Sequence, residues 1–346
     1  MGKFTTRTFR NLFFVLGFLA LALMVWKIGL DTIIDNVVKT GWWFFAIIGM
    51  WLPIYIINTL AFNTIIRDDD PANHTISFLR IFKINLSGFA LKAATPLGFL
   101  GGDPYKIIEL KSIFGVEKAT SSVLLYTMTH ITAHCIFWAS SIVIAALFVP
   151  MSLKFSIVLL LTFVVFVILI LLLWRGYRNG LAFKFFNTLS RTPLLKKWCL
   201  PFCTMHSDRL IQIDNQISYL YNSRRKAFIK TLGLELLARF FNCLEVYIIL
   251  KSVHVDVSIF QSIVIYAFMT LFTNILFFSP MQIGTREGGF LLALKALSLP
   301  GGLGIYVSLV TRVREMIWIG IGVLLMKVKS FPTLPPIVHK SAEKLP

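Results

Sequence analysis

Long apolar runs alternate along the chain with short polar interruptions. Apolar stretches at about 12–26, 42–62, 121–149, 153–174, 228–250 and 302–326 approach or exceed the roughly 20 residues needed to cross a hydrocarbon core of about 30 Å. The pattern predicts an all-α polytopic membrane protein with about six spanning helices. Two regions, 76–118 and 258–299, are apolar but broken in the middle. The first break reads Thr95-Pro96-Leu97-Gly98-Phe99-Leu100-Gly101-Gly102-Asp103 and the second Ser279-Pro280-Met281-Gln282-Ile283-Gly284-Thr285-Arg286-Glu287-Gly288-Gly289. A helix broken at membrane depth frees backbone groups that lipid cannot satisfy, so it must sit inside protein or against a wet cavity. Both regions are therefore expected to be broken re-entrant hairpins.

Charge sets the expected topology. Lys3, Arg7 and Arg10 precede the first run, whose hydrophobicity continues through Trp26, so an uncleaved first helix is expected rather than a signal peptide. The stretch 175–230 is basic, and its Leu181, Phe185, Phe186 and Leu189 have the spacing of a helix lying on an anionic leaflet. With the N-terminus in the cytoplasm, each half reads helix, helix, hairpin, helix, with opposite orientation. That is the pattern of an inverted-topology repeat, with halves at 10–149 and 153–328 and a tail at 330–346. Paired interruptions in corresponding positions point to a substrate site. The seven-residue Pro-to-acid spacing alone is weak, because about 0.6 such pairs arise by chance in this composition. Its agreement with glycines, depth and topology carries the argument.

Composition supports the same class. Of 346 residues 57% are hydrophobic and 14% charged, and the net charge is +18. Basic cytoplasmic loops account for that charge, and no nucleic-acid motif accompanies it. The four cysteines form no disulfide framework. Cys199 and Cys203 lack a second ligand pair, and His130 and His134, four apart, lack the intervening Glu of a zinc-protease helix. Polar packing with Thr129 and Thr132 is the reading for those histidines. Asp68-Asp69-Asp70 before Pro71 reads as a solvated turn. No metal or cofactor is expected.

The two breaks resemble the flippase-like membrane family typified by the transmembrane region of lysylphosphatidylglycerol synthases. Its Pro-Gly segment running into Gly-Gly-Asp matches Pro96, Gly98, Gly101, Gly102 and Asp103. Its later Pro, Gly-rich turn and Arg-Glu match Pro280, Gly284, Arg286 and Glu287, and Arg312 matches an Arg in the last span. The second motif is poorer in glycine than in the family, and Tyr126-Thr127 stands about where the family often has Glu-Arg. The resemblance implies translocation of a lipid or lipid-linked headgroup across the cytoplasmic membrane, with membrane lipids and a lipid-modifying synthase as partners. An integral membrane enzyme and an accessory subunit remain alternatives.

Chemically, an anionic headgroup needs cations and exposed helix N-termini. Lys106 and Arg286 are the expected phosphate partners, with Lys92 and Arg312 as further cations. Gly101-Gly102 and Gly284 would let backbone N–H groups approach a phosphate. Asp103 and Glu287 would bind an amine, position the bases or carry a proton. Glu235, Arg239 and Glu245 are read as an ion-pair ladder along the fifth span.

Overall fold

The computed structural model of the protein describes residues 6–67, 76–94, 101–148, 153–179, 221–276 and 284–328, with Gln282 and scattered residues between 207 and 219. Pro96, Gly98 and Pro280, the Asp68–Asp70 turn, Cys199, Cys203 and most of the basic segment lie outside the described residues. The described elements are all helices: α1 (Thr6–Ile28), α2 (Leu30–Thr40), α3 (Trp43–Gly49), α4 (Trp51–Ile66), α5 (Phe78–Ala94), α6 (Gly102–Phe114), α7 (Val116–Phe148), α8 (Leu153–Asn179), α9 (Arg225–Ser252), α10 (Ile259–Ile275), α11 (Thr285–Ala296) and α12 (Gly302–Leu325).

Three stretches are long and apolar enough to cross a membrane: Trp43–Ile66, Val116–Phe148 and Ser156–Arg178. A fourth arises if α1 and α2 count together despite their 78° bend. The bend falls at Gly29, whose φ of +86° suits glycine and not a residue with a side chain. Helix α2 was not expected. Its Leu30, Ile34 and Val38 are exposed on one face while Ile33 and Val37 pack inward, the pattern of an interfacial helix. The span expected at 42–62 consists of α3 and α4. Pro53 cannot donate to the carbonyl of Gly49, and the helix is interrupted at Met50.

Helices α9 and α12 have 28 and 24 residues, long enough to span, but they carry charges at intervals. The packing explains how this is tolerated. Helix α9 lies among α4, α7, α10 and α12, which keeps its polar groups away from lipid. Helix α8 is the opposite case: its apolar window is only 6% buried, and it packs chiefly on α7. The broken regions resolve into helix pairs, α5 with α6 and α10 with α11. At 17, 13, 17 and 12 residues, each member is shorter than a span.

Helix α4 packs on α9. Helix α5 packs on α12 as α10 packs on α7, and α6 packs on α7 as α11 packs on α12. Two larger apolar clusters result. One joins α9–α12 with α1 and α3, and the other joins α4–α7 with Tyr177 and Tyr221.

Candidate functional site

The first break ends where α5 and α6 cross. A Cβ on Gly102 would sit 2.6 Å from the carbonyl oxygen of Gly88, and one on Gly88 would sit 2.6 Å from Lys106 Cε. Only paired glycines allow this approach, and it lays the Lys106 stem along α5. The Lys106 ammonium then lies 5.0 Å from the Tyr126 ring centre and 5.4 Å from that of Phe62. Its distance to Asp103 Oδ1 is 3.9 Å, a loose ion pair. Asp103 Oδ2 accepts a 3.0 Å hydrogen bond from Thr127 Oγ1. Tyr126-Thr127, the departure from the family pattern, thus touches both charged residues of the first motif.

Beyond them opens a cavity of about 220 Å³, far larger than the roughly 10–15 Å³ that one water requires. The hairpin contributes Gly88, Lys92, Asp103 and Lys106. The wall opposite in sequence comes from α4, α7 and α9, with Asn58, His130, His134, Glu235, Arg239 and Asn242; Trp51, Tyr55, Phe89 and Tyr266 supply aromatic surface. Glu235 is fully buried and held twice: by Arg239 at 3.0 Å and by His130 Nδ1 at 2.7 Å. Arg239 also donates to the His130 carbonyl at 2.8 Å. The histidines therefore serve this cavity. Thr129 and Thr132, expected beside them, instead bond back to the carbonyls of Leu125 and Met128.

The second break is built differently. Gly284, at φ +82°, caps α11, and its N–H donates to Glu287 Oε2 at 2.8 Å. That N–H is thereby occupied by the motif's own carboxylate, not left for a phosphate. Glu287 also accepts from Ser308 Oγ at 2.9 Å and from Arg312 through both Nε and a terminal nitrogen. Arg312 donates further to the Gln282 carbonyl at 2.9 Å. Arg286 pairs with Glu315 at 2.6 Å and with the Gln282 side chain at 2.8 Å. None of Gly284, Arg286, Glu287 and Arg312 lines the 220 Å³ cavity.

Of the expected site residues, Asp103 and Lys106 are brought together at the cavity, with Gly102 at the crossing that positions them. Gly101 is buried next to Gly102, where its carbonyl accepts from Tyr105 N–H. Arg286, Glu287 and Arg312 gather in a separate cluster with Gln282, Ser308 and Glu315. The expected ladder along α9 is half present. Glu235 and Arg239 pair, but Glu245 reaches across to Arg314 on α12, bonded at 2.7 and 2.9 Å. The Arg314 guanidinium also lies 3.7 Å from the Trp51 ring centre. Sequence reasoning missed Glu315, Arg314 and Gly88. The two charges were findable as ionisable residues inside an expected span; Gly88 carried no signal, since its role is contact with a distant helix.

The family model for the lysylphosphatidylglycerol synthase transmembrane region matches residues 12–322. The UPF0104 membrane protein MJ1595 of Methanocaldococcus jannaschii is 21% identical over 309 residues, covering 86% of this chain and 88% of that one. No solved structure matches. With both interrupted regions and most of the last helix inside the matched region, the chain belongs to the lysylphosphatidylglycerol synthase transmembrane-region family.

Proposed function

We propose that the protein translocates the headgroup of a lipid or lipid-linked molecule, anionic or aminoacylated, across the cytoplasmic membrane. The observation that carries this reading is the polar cavity walled by a broken hairpin among otherwise apolar helices. Irregular backbone and ionisable groups at such depth serve a substrate path in preference to a fold. Lys106 and Lys92 take the phosphate, Asp103 holds Lys106 in place, and Gly102 fixes the approach of the two hairpin arms. Gly101, buried beside Gly102, belongs to the same substrate-binding set, as do Pro96 and Gly98 by their place in the motif.

The halves form an inverted repeat, for which the corresponding helix contacts give support. In that arrangement the second hairpin is the partner gate. Pro280 and Gly284 belong to its substrate-binding set, and Arg286, Glu287 and Arg312, paired in this conformation, are exposed to substrate in the alternate one. The N-terminus lies in the cytoplasm, and a lipid-modifying synthase supplies the cargo. The test is reconstitution into vesicles with a fluorescent lipid on one leaflet. Asp103→Asn is expected to lower the flipping rate about tenfold to hundredfold, the scale of one lost charge-assisted interaction. A wild-type rate in that variant removes the cavity from the path, and a chemically altered lipid would favour the enzyme reading.

A further inference from the structure

The same cavity says more about its ligand than its charge does. Among the described residues, several buried polar atoms on its walls have no hydrogen-bond partner: Asn58 Oδ1, Asn242 Oδ1, His134 Nδ1, Glu235 Oε1, Tyr55 OH and Arg239 Nε. Tyr55, Arg239 and Asn242 are only 2%, 2% and 8% exposed. Leaving such groups unsatisfied costs about 1–3 kcal/mol each. They include acceptors, a donor and a hydroxyl that can do either, and they come from α4, α7 and α9, not from one element. A ligand that satisfies them all must both donate and accept at several points. Hydroxyl groups do that; an ammonium group only donates, and a phosphate at neutral pH mostly accepts. The Trp51, Tyr55 and Phe89 rings lie within 5.1–5.8 Å of one another, supplying flat apolar surface for the C–H face of a polyol ring.

Charge decides between headgroups. The described lining carries three cations, Lys92, Lys106 and Arg239, against two carboxylates, Asp103 and Glu235. The cavity is therefore net positive at neutral pH, and protonation of either histidine adds to that. Glu235 is already engaged by Arg239 and His130, and Asp103 by Thr127 and Lys106. Glu235 keeps Oε1 without a hydrogen-bond partner, an acceptor open to a hydroxyl or an ammonium, so the excess of three cations over two carboxylates is what decides against a cationic headgroup. Resting on the translocation reading, we infer that the cargo is an anionic lipid whose phosphate carries a neutral polyhydroxylated group, a sugar or other polyol. Lys92 and Lys106 bind the phosphate, Asn58 and Asn242 accept from hydroxyls, and Tyr55 OH and Arg239 Nε donate to them. The net positive lining works against a net-cationic aminoacylated headgroup.

Native mass spectrometry of the full chain, with equal amounts of phosphatidylinositol, phosphatidic acid and lysyl-phosphatidylglycerol, tests this. Phosphatidylinositol is expected to bind at least tenfold more tightly than phosphatidic acid, with lysyl-phosphatidylglycerol weakest. The double variant Asn58→Leu, Asn242→Leu should lose the preference for phosphatidylinositol while still binding phosphatidic acid. Soluble inositol 1-phosphate should compete at least tenfold more weakly than the lipid. Equal or tighter binding of lysyl-phosphatidylglycerol overturns the inference, as does a wild-type preference for phosphatidic acid. Equal competition by inositol 1-phosphate overturns the assignment to a lipid. If the double variant is unstable, the wild-type rank order still decides. Vesicle flipping separates the two readings. Selective binding without flipping sinks translocation alone, and flipping without headgroup preference sinks the polyol assignment alone.

Discussion

In the first hairpin, the carboxylate seven residues after the proline, Asp103, holds its cation at 3.9 Å beside a cavity. In the second, the corresponding Glu287 is ligated by a backbone N–H, a serine hydroxyl and both edges of an arginine fork. The same spacing thus ends in an open site on one side and a closed knot on the other. The difference follows from neighbours. Helix α12 brings Ser308, Arg312 and Glu315 against α11, whereas α7 brings only Thr127 and aromatic surface against α6. A motif's residues say which groups can pair; the helix packed against them decides whether they do.

The largest separation between the two regions should appear in stability. Glu287→Gln removes the carboxylate that Arg312, 3% exposed in its side chain, holds through two nitrogens. Breaking a buried pair from one side costs about 3–5 kcal/mol, and the remaining Gln282 carbonyl places this case near 3. Asp103→Asn breaks a looser 3.9 Å pair; its acid is about as exposed as Glu287 (27% against 26%), but the buried Lys106 keeps its Tyr126 and Phe62 ring contacts, so the cost should be smaller, about 1–2 kcal/mol. Thermal unfolding in detergent checks both. The double variant Glu287→Gln, Arg312→Met should recover most of the loss, because no buried charge is then left alone. Equal destabilisation by the two single variants would erase the distinction between knot and open site.

The glycines give the next contrast. Gly102→Ala drives a Cβ to 2.6 Å from the Gly88 carbonyl oxygen, a backbone atom that cannot swing aside. Overpacking of this kind costs about 1–3 kcal/mol, and separation of the hairpin arms should also lower flipping. In the second hairpin a Cβ at Gly288 meets only the Phe272 ring at 3.4 Å. Gly288→Ala should be within about 0.5 kcal/mol of wild type, since alanine also favours the helix. A stability loss at Gly288 matching that at Gly102 would show that both hairpins are equally tight.

Much of this was legible before any coordinates. The helical class, the two interruptions and the Asp103–Lys106 pair follow from apolar run length, Pro and Gly placement, and i, i+3 spacing. What escaped were relations between distant elements. Glu245 stands ten residues after Glu235 and six after Arg239, so a ladder along α9 was the local reading. Its partner, Arg314, sits 69 positions away on α12. His130 reads as packing because Thr129 and Thr132 surround it in sequence, yet those threonines bond the carbonyls of Leu125 and Met128, one turn earlier, and the imidazole faces α9. The bend at Gly29 escaped for another reason: the apolar residues of α2, Leu30, Ile33, Ile34, Val37 and Val38, form one stripe broken in sequence by Asp31, Asp35 and Asn36. A run-length criterion has no way to see that.

The smallest effect sharpens the account of the open site. Thr127→Val keeps the volume of the side chain and removes only the hydroxyl that donates to Asp103 at 3.0 Å. Asp103 is partly exposed and exchanges that bond for water, so stability should change little. The loss should be about 0.5–1.5 kcal/mol, the net value of one hydrogen bond, and it should fall on the geometry of Lys106. Flipping is expected to slow about threefold to tenfold, with the unfolding temperature unchanged. Thr127→Ser, which restores the donor, should return most of the rate. If valine and serine behave alike, Thr127 only fills space, and Asp103 is positioned by Lys106 alone.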